Sequence, residues 1–232
     1  MHIGKSEWMR ALILILSLGV VSFVLMPDDP ADGKWMDPFD SRSLYEQIGN
    51  KSMAFEAFDL AYRGWLALRD SLNLKKNIIS VVDFSQPSDH KRFYLIDMNS
   101  REVIYQNYVA HGKNTGALVA KSFSNKPNSY QSSLGFYKTG ETYYGKHGLS
   151  LRLDGLEEGI NSKARERAIV IHAAKYAEES FIKKYGRLGR SFGCPALPEE
   201  DFSYVIDLIK DGTLLFIYHS EEGYLKVSTV LN

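Results

Sequence analysis

One cysteine in the chain, Cys194, sits in the run Ser191-Phe192-Gly193-Cys194-Pro195, and His172 closes an apolar stretch upstream. A thiol attacks a carbonyl as the thiolate, so it needs a lowered pKa or a base beside it. Histidine is the usual base because it titrates near neutrality. The distance between the two along the sequence does not prevent contact, since a helix between them can return the chain to the strand end. Gly193 lets the backbone approach a substrate closely and adopts conformations closed to other residues. Amides at such a turn can hold a developing oxyanion, with Ser191 donating a hydrogen bond inside the turn. Arg187 and Arg190 lie near enough to favour the thiolate or to bind a substrate carboxylate. A lone cysteine is also often a small buried hydrophobe, and the pair alone leaves that alternative open.

Two further histidines, His111 and His147, each precede a glycine, and Lys113 follows close on the first. With His172 they would make a three-histidine zinc site. That arrangement leaves Cys194 without a role, so no metal and no cofactor is expected. His111 and His147 are read instead as loop or groove residues near the site.

The bulk of the chain bounds what surrounds this chemistry. It has 232 residues, 44% hydrophobic and 24% charged, which fits one globular domain with an appendage. Basic and acidic side chains balance at 28 each, so nothing gathers phosphates and a nucleic-acid partner is not expected. A single cysteine excludes an intramolecular disulfide and a multi-cysteine zinc site. Lys5 and Arg10 precede an uncharged run at 11–26, which Pro27, Asp28 and Asp29 end. This pattern predicts an exported protein, with residues 1–27 either cut as a signal peptide or kept as a membrane anchor.

The elements follow from periodicity. Residues 28–43 read as a linker. Residues 44–77 read as a helical extension on the outside of the main domain, with apolar residues at three- and four-residue steps over 44–72 and Gly64 at a close packing contact. Residues 78–232 form the catalytic domain. In it, strands are predicted at 78–84, 92–97 and 103–109, the last two a hairpin around Asn99 and Ser100. Shorter extended segments fall at 135–139 and 149–153, and a buried strand at 168–172. Helices are predicted at 161–167, 173–185 and 198–208, then a strand pair at 213–218 and 224–230. Strands with long loops and few helices give a mixed, β-rich fold without the regular alternation of a doubly wound sheet.

The stretch from Ile171 to Pro198 resembles the murein L,D-transpeptidase catalytic domain family of the YkuD-like superfamily. Ile171-His172-Ala173 resembles its Ile-His-Gly element, and Ser191-Phe192-Gly193-Cys194 its Ser-x-Gly-Cys element. His111-Gly112-Lys113, GKHGLSLRLDGLEEGIN at 145–161 and GRLGRSFGCPALP at 186–198 extend the likeness across 80–218. The resemblance implies a compact β-rich domain of mixed sheets with the N-terminal helices added to it. It also implies a peptidoglycan substrate: Cys194 attacks the carbonyl of the third stem residue, His172 moves the proton, and D-Ala leaves. The acyl group then passes to an amine, giving a 3-to-3 crosslink, or to water, as in an L,D-carboxypeptidase. A wall-binding module without turnover is the alternative from another class. Tyr137, Tyr143 and Tyr144 become candidate contacts for glycan or stem peptide. Ala173 stands where the family has glycine, and Pro195 and Ala196 stand where it has a hydrophobic residue and then Arg or Asn. Arg190, Arg187 or Lys113 would supply the missing charge.

Overall fold

The computed structural model describes residues 40–232. The predicted export segment and most of the predicted linker lie outside the described residues. Asp40 caps the first helix, α1 (Ser41–Ile48), by accepting from the Arg42 amide, and Gly49 in the left-handed region ends it. The predicted helical stretch is therefore broken at Gly49, and α2 (Phe55–Leu68) begins after a short turn. Ala57, Phe58, Leu60, Ala61, Tyr62 and Trp65 of α2 are all buried, in one cluster with the sheet. The predicted helical extension is thus packed on the sheet through the buried face of α2. Gly64 shows why α2 comes so close: a Cβ there would sit 2.1 Å from the Phe136 ring.

Eight strands form one mixed sheet in the order β3-β2-β1-β8-β4-β5-β6-β7. They are β1 (Ile78–Asp83), β2 (Phe93–Asp97), β3 (Glu102–Asn107), β4 (Gly135–Gly145), β5 (Gly148–Gly155), β6 (Val170–Ala173), β7 (Ala196–Leu197) and β8 (Leu214–Tyr218). The β1–β8 and β6–β7 pairs are parallel and the others antiparallel. Every residue of β1 is buried, because α2 and α4 (Phe202–Ile209) both pack on it. The β2–β3 hairpin turns where predicted, with the Asp97 carboxylate accepting from the Asn99 amide.

Several boundaries differ from the sequence reading. The segments at 135–139 and 149–153 belong to one long hairpin, 135–139 at its open end and 149–153 towards its turn. Only Gly135 to Lys138 of β4 are in register with β8; beyond them β4 pairs with β5 alone, past an irregularity between Thr139 and Thr142, while Ser150 to Arg152 of β5 also pair with β6. The polar outer half hid this length. Residues 161–167 are turns, and 173–185 divides into a 3-10 turn (Lys175–Ala177) and α3 (Glu179–Tyr185). The helix predicted from Pro198 starts at Phe202. The last predicted strand is a helix, α5 (Glu222–Val227). Tyr224 and Ser228, one helical turn apart, both give their hydroxyls to the buried Glu157 carboxylate, which a strand could not arrange.

Candidate active site

The topology brings His172 and Cys194 together. His172 lies in β6, facing Ser150 of β5 on one side and Ala196 of β7 on the other. From β6 the chain runs through the 3-10 turn and α3, ends the helix at left-handed Gly186, and returns as β7 parallel to β6. Cys194 therefore arrives two residues before Ala196. A small apolar cluster of Ala110, Ala174, Ala177, Leu188 and Ala196 packs along this return. Ala110 and Ala196 bond each other in both directions, at 2.8 and 3.3 Å, while Gly112 bridges Ser191.

The turn before the thiol is held by two serines. Ser191 Oγ accepts from the Gly193 amide at 3.0 Å and donates to the Cys194 carbonyl at 2.6 Å. Ser132 Oγ donates to the Gly193 carbonyl and accepts from the Gly112 amide, each at 3.0 Å. Gly193 has φ +124°, and a Cβ there would stand 2.7 Å from the Gln131 carbonyl oxygen, so only glycine fits. Its amide is committed to Ser191. Gly193 and Ser191 thus act as turn supports in this structure, and Gly193 offers no free oxyanion donor.

The Cys194 and His172 side chains line one cavity of about 370 Å³. Cys194 is half-buried, and Sγ donates to the Ala168 carbonyl at 3.7 Å. Ala168 has φ +52°, a left-handed conformation uncommon for alanine. Burial pushes the thiol pKa up; the Val170 amide and the charges of Arg167 and Lys146 oppose that shift. His172 is buried, with Nδ1 2.9 Å from the Ala173 carbonyl oxygen. A carbonyl only accepts, so Nδ1 carries the proton and Nε2 is left as the basic nitrogen. Burial lowers the His172 pKa, and His147 and Lys146 lower it further. The His147 ring stacks on His172, centroids 4.5 Å apart at 22°.

The other predicted residues divide sharply. His147 and Arg190 line the cavity with Cys194, His172 and Ser191. His111 does not: it is buried, its Nδ1 accepts from Arg92 at 2.8 Å, and burial with that neighbouring charge pushes its pKa down to about 3. It contributes through its backbone, its carbonyl accepting from the Ser191 amide. Lys113 points at the rings of Tyr130 and Phe192, 4.3 and 4.6 Å from their centres, and lies outside the cavity lining. Arg187 turns to the Leu188 carbonyl. Tyr144 is 83% exposed and outside the lining, whereas its neighbour Tyr143 is part of it. Tyr137 is fully buried against Ser133 and is no ligand contact. The three histidines do not form a metal site, and no group of three His, Cys, Asp or Glu side chains suited to a metal occurs among the described residues.

Sequence reasoning missed Arg167, Lys146, Ser150 and Tyr176, all cavity residues. Arg167 precedes β6 and Ser150 faces His172 across β5. A strand reading of these segments marks both as neighbours of the histidine. Lys146 is legible only once its hairpin is recognised.

Comparison with known proteins bears on this geometry. The family model for the L,D-transpeptidase catalytic domain matches residues 49–218. The chain belongs to that family. The match begins before β1 and takes in α2, in keeping with the helix's place in the core. No curated protein matches the chain. Among solved structures, it resembles an L,D-transpeptidase from Mycobacterium smegmatis at 13% identity and TM-score 0.39, covering 62% of this chain and 59% of that one. It also resembles the helical cell shape determining protein Pgp2 from Campylobacter jejuni at 12% identity and TM-score 0.42, covering 79% and 56%. A third, an L,D-transpeptidase from Stackebrandtia nassauensis, has 14% identity and TM-score 0.38, covering 78% and 77%. The chain spans about three fifths of the length of the first of these solved relatives. These likenesses are distant, and membership of the L,D-transpeptidase family rests on the family model.

Proposed function

We propose that the protein is a peptidoglycan L,D-transpeptidase that works through a Cys194 thioester. The observation that carries this reading is the shared cavity, into which a half-buried thiol and a histidine with a fixed tautomer both open. His172 Nε2 takes the Sγ proton, and the thiolate attacks the carbonyl of the third stem residue. The C–N bond to the terminal D-Ala breaks, and the imidazolium returns its proton to the leaving amine. An amine of a neighbouring stem then attacks the thioester and frees the thiol, giving a 3-to-3 crosslink. In the resting structure Sγ donates to Ala168; the bond to His172 forms when substrate displaces that contact, as catalytic hydrogen bonds often tighten only in the complex.

The Ala173 carbonyl takes the place of a third catalytic side chain. Arg190 contributes positive charge at the cavity, where Pro195 and Ala196 carry none. The work is done outside the cytoplasmic membrane, reached through the segment at 11–26. Among the described residues no helix is long and apolar enough to cross a membrane.

Mass spectrometry of products from tetrapeptide muropeptides, beside Cys194→Ala, tests the reading. Cys194-dependent dimers joined 3-to-3 are expected. Tripeptides and free D-Ala without dimers would identify water as the acceptor. Turnover retained in Cys194→Ala would remove the thioester altogether.

A further inference from the structure

Arg167 is half-buried beside the catalytic turn, and a Cβ on Gly193 would stand 3.3 Å from its Nη2. Its guanidinium gives four hydrogen bonds: Nη1 to the Ser124 carbonyl and Ser133 Oγ, Nη2 to Ser129 Oγ and the Gln131 carbonyl. Every acceptor is neutral. No salt bridge to Arg167 occurs among the described residues, although Arg152 and Arg165 on the surface both pair with acids. Burying a cation without a counter-charge is costly. Two neighbours that could become anions interact with it, Tyr137 and Cys194. The Tyr137 hydroxyl is fully buried and pushed above the usual phenol range, so it stays neutral. Cys194 is what remains.

We propose that Arg167 is the built-in counter-ion of the Cys194 thiolate, a positioning residue that acts on the nucleophile's charge and takes no part in bond making. The four neutral acceptors lock the guanidinium in place and leave its charge unspent. The thiol also shares the cavity with His172, His147, Lys146, Arg190, Tyr143 and Tyr176. Lys146 and Arg190 are exposed and screened by salt; Arg167 is shielded from it. The proposal rests on Cys194 being the nucleophile.

The test is the pH dependence of Cys194 alkylation by iodoacetamide in the full chain, with melting temperature measured alongside. Arg167→Gln is expected to move the midpoint up by about one pH unit, which is about tenfold slower alkylation below it. Arg167→Lys keeps the charge and loses the planar fork, so its midpoint stays near wild type while its melting temperature falls. A folded Arg167→Gln chain with the wild-type midpoint would overturn the proposal, and so would a lysine variant that shifts as far as glutamine. If Arg167→Gln does not fold, replacement of Arg167 by citrulline, planar and uncharged, must give the same upward shift. Alkylation needs no muropeptide. A chain that shifts as expected yet makes no product counts against the transpeptidase reading alone, and an active chain that does not shift counts against this one alone.

Discussion

In the proposed reaction His172 moves the proton, and its environment would set the working pH range. Burial and the neighbouring His147 and Lys146 hold its pKa below the ordinary 6.5. The imidazole thus stays neutral, and able to accept a proton, to lower pH than a free histidine. The acid limb of kcat/KM is expected below pH 6.5, and His147→Gln, which removes a neighbouring charge, should move it upward. A limb above 6.5 in wild type would assign it to another group. His172→Ala should lower kcat by about 10²- to 10⁴-fold with the melting temperature nearly unchanged, as rate and calorimetry on the same preparation would show. His111 affects stability instead. Its pKa falls to about 3 in the folded state against an ordinary 6.5. The unfolded chain therefore binds the proton first as pH drops. Stability from this residue is full above 6.5 and is lost towards 3, at about 1.4 kcal/mol per pH unit. Urea titrations at several pH values should show that slope, and His111→Phe should flatten it.

The elements that place these residues depend on close approach. Gly64→Ala on α2 would drive a methyl group into Phe136 and should cost about 1–3 kcal/mol, measured as a lower denaturation midpoint with unchanged slope. The inner strands and the β2–β3 hairpin were legible in the sequence, because alternating apolar runs and local turn chemistry specify them; the pairing of His172 with Cys194 came from their chemistry and from the motifs that resemble the family's. The outer half of β4 was not legible, since none of its residues from Gly140 on is buried and no apolar period marks them. Nor was the role of Arg167: its partners are backbone carbonyls and serine hydroxyls of a distant loop, which leave no pattern in the chain. His111 and Lys113 were read as site residues because they stand in the matching motif. Their side chains turn away, and their backbone bonds Ser191 in the turn before Cys194 instead.

At the scale of the whole molecule, the sheet runs from β3 at one border to β7 at the other, and Cys194 lies just ahead of β7. That border strand is only two residues long, and both backbone groups of Ala196 are already bonded to Ala110. An open border is a template on which an extended peptide can be added as another strand. Here the template is closed where the thiol sits. A peptide that reaches Cys194 therefore cannot join the sheet at Ala196. In the proposed reaction it would meet the side chains of the cavity there instead of a free strand edge.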